Sequence, residues 1–361
     1  MPAKGHRPHH DERALMFVGT RKGVFVYESD FDRAKWKRTG PYLVDHQISC
    51  IAYDYRDQRS VYVATAGGGL HRTRDFGKTW EKVGRGLPSE RVSSVTIGHL
   101  SEPGAIWVGL EPAALAKSMD GGESFDEIAG FKAIPSAGEW WGREGDPVVT
   151  AIVAHSDSPK SLHVGVSVGG VFLTEDGGLT WKGCNEGITP SYPKSHNHGD
   201  AHRDVHNLVS NPARPDRLYA VAERGVYRTD DNGDTWKDVS AGLSSPLTRS
   251  LVVSPSKPGT VFVVPLKAGT GEPPKVDGAL AIYRSREGGD EWDRLSEGLP
   301  ENVNATVYRE ALRIDTLDEE GIYVATSNGQ ILVSLDEGET WTQIVTGLTP
   351  ILALEIVTEQ E

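Results

Sequence analysis

The chain reads as an all-β protein, a single seven-bladed β-propeller of four-stranded antiparallel blades, on three observations. An eight-residue phrase returns six times at intervals of about 45 to 55 residues, which is the spacing of propeller blades. Ahead of each copy stand short runs in which apolar and polar residues alternate at the period of a strand. With 41 glycines and 21 prolines in 361 residues, and no long stretch of helical periodicity, the chain has the composition of a turn-rich β protein.

Within one unit the elements follow in order. Two alternating runs, such as 60–65 then 69–73, or 217–222 then 225–229, form a hairpin whose tight turn is marked by glycine. The repeated phrase follows as the next turn. Its copies span Thr73–Trp80, Ser118–Phe125, Thr174–Trp181, Thr229–Trp236, Ser285–Trp292 and Ser334–Trp341, and glycine holds the fifth place in all six. In such a turn the Asp side chain accepts backbone N–H groups, Gly takes a positive φ, and Ser or Thr supplies a second local acceptor. The closing Trp opens a fourth strand and offers a large apolar area for packing between neighbouring sheets.

The two ends complete the ring. Residues 15–27 read as two strands, and Ser29 to Trp36 as a decayed copy of the phrase, which makes a seventh unit without a first strand of its own. Residues 351–357 form a strand with no partner in the last unit, so pairing it into the first blade closes the ring and removes the exposed sheet edges. Six blades is the alternative if the N-terminal unit is something else. Residues 1–13 are expected to be a flexible tail and 14–361 the propeller.

The phrase matches the Asp-box, or BNR repeat, and the chain resembles the bacterial sialidase-like and glycosyl-hydrolase-like Asp-box propellers. Phe125 in place of Trp, and Glu287 in place of Asp, are the departures. The resemblance implies a propeller with its boxes on the face opposite the ligand entrance, so the box aspartates are structural. Enzymatic sialidases use three arginines, a tyrosine with a glutamate partner, and an aspartate. The family's Phe/Tyr-Arg-Ile-Pro segment is absent, and no sialidase catalytic residue transfers. Xyloglucan-cleaving enzymes share the boxes but face two propellers across a cleft, whereas this chain has one. Other Asp-box proteins help assemble photosynthetic complexes without catalysis.

A formal net charge of −13 argues against nucleic acid or an anionic membrane as partner. The N-terminus lacks an apolar signal core, and no run approaches the roughly 18 residues that span a bilayer, so a cytoplasmic location is expected. Cys50, in an apolar strand, reads as a small buried hydrophobe, and Cys184 has no cysteine near it in sequence.

Function is sought where the repeat is interrupted, because long loops on a rigid scaffold concentrate binding and catalysis. Three loops stand out: 127–147, 183–205 and 267–278. The second carries His196, His198 and His202, and His206 follows it directly, so four of the twelve histidines fall between 196 and 206. If the chain is extended by residue 202, then His202, Asp204 and His206 alternate onto the channel face and form the first shell of a divalent metal, with His198 a fourth ligand. The alternative is a solvated or hydrogen-bonded histidine cluster. Trp140 and Trp141, outside the repeat and flanked by Glu139, Arg143 and Glu144, form an aromatic platform for a sugar or planar ligand, or else plug the channel mouth as packing. Arg203, Arg249 and Arg309 suit an anionic ligand. Tyr308 and Glu310 are expected to share a strand face from which Arg309 points away.

Three functions are consistent with these residues. The first is a hydrolase or lyase for a sugar or another small polar molecule at the channel mouth, with His206, Asp204, Arg203 and Glu139 as the catalytic candidates and Trp140, Trp141, Arg143, Arg249, Arg309 and Tyr308 binding ligand. The second is a metal-free glycoside hydrolase with a carboxylate pair drawn from Glu139, Glu144, Asp146, Asp200 and Asp204, set about 5 to 9.5 Å apart. The third is a binding or assembly propeller. A nucleotide or organic cofactor is expected in none of them.

Overall fold

The computed structural model describes residues 13–140, 145–191, 202–267, 273–276, 278–301 and 303–359. Of the expected tail, residues 1–12 therefore lie outside the described residues. The described chain forms seven four-stranded antiparallel sheets, with helix confined to the short turns Ala129–Lys132 and Ala137–Glu139. Seven blades, not six, make the ring.

Blade one is built from both ends of the chain. Its strands run Ile351–Glu359, Arg13–Thr20, Gly23–Asp30 and Lys37–Tyr42 from the axis outward. Arg13 to Gly19 pair antiparallel with Glu359 to Ala353, so the C-terminal strand supplies the missing inner edge. Blade seven (Leu312–Ile314, Ile322–Ala325, Ile331–Ser334, Thr342–Val345) is its neighbour. The seam between them is buried: Arg33 Nη1 lies 2.9 Å from Asp315 Oδ2, and Trp36 packs edge-on against Tyr323 with ring centroids 6.2 Å apart.

The other blades place their inner strands at Ile48–Tyr53, Val92–Ile97, Val149–Ala154, Val205–Asn211 and Thr248–Val253. Fully buried runs such as Val61–Thr65 and Leu162–Val166 fill the second-strand positions. That is the continuous apolar pattern expected of a strand covered on both faces by neighbouring blades.

The repeated turns form as their residue types demand. The glycine at the fifth place has a φ between 88° and 95° in all six copies. Asp176 accepts from Thr180 N–H at 2.9 Å and from Thr180 Oγ1 at 2.6 Å, while Gly178 N–H donates to Thr174 Oγ1 at 2.9 Å. Asp75, Asp120, Asp231 and Asp336 repeat this pattern. At Glu287 only the bonds to Ser285 Oγ remain. The closing tryptophans reach toward the preceding blade, as Trp80 does against Phe17 with centroids 6.4 Å apart. These turns follow third strands, so they lie at the end of the propeller away from the starts of the inner strands.

Candidate functional site

Near its start, the inner strand of six blades slips register against the second strand. The slips fall between Ile48 and Cys50, Val92 and Ser94, Val149 and Ala151, Val205 and Asn207, Thr248 and Leu251, and at Leu352. A bulge of this kind inserts an extra residue and re-aims its side chain. The residues so placed are Ser49, Ser93, Thr150, His206, Arg249 and Leu352. In blade seven Glu310 stands at the corresponding place, bridged to Ala353 of blade one.

Three of these positions knit the ring. Ser49 Oγ donates to the Val92 carbonyl, Ser93 Oγ to Val149 O at 2.8 Å, and Thr150 Oγ1 to Val205 O at 2.9 Å, each on the next blade. At blades five, six and seven the repeat departs from this use, and the same place carries the ionisable residues His206, Arg249 and Glu310. Together with Asp204, Tyr308, Arg309, Ser49, Thr150 and Leu352 they line an axial cavity of about 400 Å³ at the mouth. Among the described residues, Asp204 of the 183–205 loop is the one member of the three interrupting loops in this lining.

His206 is buried, with Nε2 3.1 Å from Glu223 Oε2 and Nδ1 3.7 Å from Asp204 Oδ1. The hydrogen bond from His206 holds the Glu223 carboxyl below its ordinary value, against the effect of burial. Glu223 sits in the tight turn between Arg214–Ala222 and Gly225–Thr229, and its N–H donates to Asp204 O at 2.9 Å. Sequence reading missed it, because it lies in a short turn outside the three long loops.

Tyr308, Arg309 and Glu310 all line the cavity. They belong to a turn in which Ala311 N–H donates to Tyr308 O at 3.0 Å, and the strand starts only at Leu312, so the expected alternation that turned Arg309 away does not apply. Arg309 Nη2 instead crosses from blade seven to Ser93 O of blade three at 2.8 Å, and its Nε donates to Glu310 Oε1 at 3.0 Å.

Below the mouth the axis continues into a second cavity of about 330 Å³, which Glu310 also lines, together with Arg313, Glu355 and Cys50. Arg313 pairs with Glu310 and lies 3.6 Å from Glu355. Burial pushes Glu310 up, but the Arg313 and Arg309 guanidiniums outweigh it and hold the group below its ordinary value. Glu355 has only the more distant contact, and burial raises it to about 7. Burial likewise raises the Cys50 thiol to about 12, consistent with a buried hydrophobe.

Other sequence candidates lie elsewhere. His202 is buried ahead of the strand with a φ of 75°, its N–H donating to Val168 O at 2.8 Å, so the chain is not extended until Val205 and His202 does not share the face of Asp204 and His206. Arg203 Nε donates to Ile188 O at 2.9 Å, and Arg203 does not line the cavity. Glu139 lies in the short Ala137–Glu139 turn, also away from the cavity. Trp140 is 5 % exposed and packs against Phe131 and Phe172 with centroids 5.5 and 5.1 Å away, in the manner of a core residue. Asp146 is exposed, 3.7 Å from Arg91. Trp141, Arg143, Glu144, His196, His198 and Asp200 lie outside the described residues.

No family model matches the chain. It is similar to a xyloglucanase of Hypocrea jecorina (strain QM6a), 24% identical over 297 residues that cover 73% of this chain and 33% of that protein. The chain thus spans about a third of the length of that relative. It is also similar to the photosystem II assembly lipoprotein Ycf48 of Synechococcus sp. (strain CC9902), 22% identical over 302 residues, covering 82% of this chain and 76% of that protein. Among solved structures, Ycf48 bound to D1 peptide superposes with a TM-score of 0.56 and 18% identity, over 95% of this chain and 87% of that one, a likeness of fold.

Proposed function

We propose that the axial mouth is the active site of a hydrolase or lyase that acts on a sugar or another small polar molecule. One observation carries this reading: the ring position that holds Ser, Thr or Leu in four blades holds His206, Arg249 and Glu310 in three consecutive ones. These three departures from the repeat are adjacent, ionisable and all line one cavity. His206 is the acid–base group, oriented by Glu223 at 3.1 Å and Asp204 at 3.7 Å and facing the cavity. Arg249 and Arg309 provide positive charge for an anionic or strongly polar substituent. The xyloglucanase relative supports a glycosidic bond as the target, and a metal-free version would use Asp204 and Glu310 as its carboxylates.

The test is a panel of aryl glycosides, uronides and sialosides included, assayed with the wild type and His206→Ala. Turnover of a panel member is expected, falling about 10²- to 10⁴-fold in the variant. Turnover equal in both proteins would overturn the assignment. Ycf48, which matches nearly the whole chain, favours a second reading, a binding or assembly propeller without catalysis. A protein that turns over nothing, yet holds a peptide and loses it on Arg249→Ala, would establish that reading instead.

A further inference from the structure

We infer that Asp204, His206 and Glu223 form a divalent-cation site in the wall of the mouth, a proposal that deepens the reading of the mouth as the functional centre. The expected ligand His202 is replaced by Glu223, which comes from the neighbouring strand turn. One donor atom from each of the three residues lies within 4.8 Å of the other two. An ion bound at about 2.0 to 2.2 Å holds its ligands roughly 3 to 3.5 Å apart. His206 Nε2 and Glu223 Oε2, at 3.1 Å, already have that spacing. The Asp204 oxygen lies 3.7 Å from Nδ1, the other ring nitrogen, so an ion held by Nε2 and Glu223 requires the Asp204 carboxyl to swing toward it.

Backbone structure fixes the rest. The bulge turns His206 to the axis, and the Glu223 N–H to Asp204 carbonyl bond pins the two acidic residues side by side. A dication held by two carboxylate ligands and an imidazole has its charge balanced by those ligands. One imidazole nitrogen with two carboxylate oxygens suits Mn²⁺, Fe²⁺ or Zn²⁺ rather than a soft ion such as Cu⁺. Asp204 and His206 also line the 400 Å³ cavity, so positions left open on the ion face water or substrate there. A cation so held would polarise a substrate oxygen or lower the pKa of a bound water.

The experiment uses the full chain without an affinity tag, stripped with a chelator and then titrated at pH 7.5 with Mn²⁺ by electron paramagnetic resonance and with Zn²⁺ by competition with a chromophoric chelator. One ion per chain is expected, with affinity weakened at least about 10-fold in Glu223→Gln and in His206→Ala. Ions held by the N-terminal His6, His9 and His10 form a background that these substitutions leave unchanged. If His206→Ala fails to fold by circular dichroism, the near-isosteric Glu223→Gln and Asp204→Asn carry the test. Wild-type affinity in Glu223→Gln and Asp204→Asn, or no ion beyond the background, overturns the site. Turnover that survives chelation in the wild type overturns a catalytic role for the ion and leaves the acid–base reading, whereas specific ion binding without turnover supports the metal and overturns the hydrolase.

Discussion

Replacing Glu355 with glutamine probes the axial interior, where a carboxyl is held at about 7 against an ordinary 4.5. At about 1.4 kcal/mol per pH unit, that rise is about 3 kcal/mol of destabilisation once the group is ionised in the folded protein. The sign follows from linkage. A raised folded-state value means that folding favours the protonated form, so the contribution is fully favourable below pH 4.5 and is lost as pH rises through about 7. The Arg313 guanidinium, 3.6 Å away, is committed first to Glu310 and offsets the burial only in part. The stability advantage of Glu355→Gln over the wild type should therefore grow by about 3 kcal/mol between pH 4.5 and 8. Urea unfolding followed by tryptophan fluorescence, with both proteins run at each pH, measures it. Taking the difference removes the opposite trend from remote groups such as Asp120 and Asp231, whose values are depressed and whose stabilisation is lost in acid. A difference that stays flat with pH would mean that water in the channel solvates Glu355, whose side chain keeps 22 % exposure, and would refute the desolvation argument.

Gly77→Ala, at a φ of 88° with its Cβ only 2.7 Å from Val26 Cγ2, should cost about 1 to 3 kcal/mol in urea unfolding while leaving ligand binding at the opposite end intact. Trp140→Ala should lower stability by about 3 to 5 kcal/mol through lost packing on Phe131 and Phe172. If calorimetry instead showed weaker ligand binding at unchanged stability, Trp140 would be a ligand platform after all. Ending the chain before Ile351 leaves blade one with three strands and an exposed apolar edge at Arg13–Thr20. Light scattering after size-exclusion chromatography should then find aggregate, and a stable monomer would refute the closing role of that strand.

The blades, their number and the closing strand were legible because each is a local pattern repeated in register. Gly77, Gly122, Gly178, Gly233, Gly289 and Gly338 declare a positive φ from residue type alone, and Ile351 to Val357 declare a strand without a partner. The site was legible only in part. His206 and Asp204 were marked by their density in one loop, and Arg249, Tyr308 and Arg309 by their place near inner strands. His202 was misread because period-two reasoning holds only where the chain is extended, and a left-handed residue interrupts it there. Trp140, outside the repeat, read either as a ligand platform or as packing, and only its contacts with Phe131 and Phe172 decided for packing.

What the sequence determined by itself is therefore everything carried by residues near one another in the chain: turn chemistry, strand period, blade count. Tertiary structure alone decided that Ser49, Ser93, Thr150, His206, Arg249, Glu310 and Leu352 are one ring, and that Glu223 stands 3.1 Å from His206. The physical reason is that a bulge is a mismatch between two strands, and a side chain's neighbours across an axis are set by closure of the whole ring.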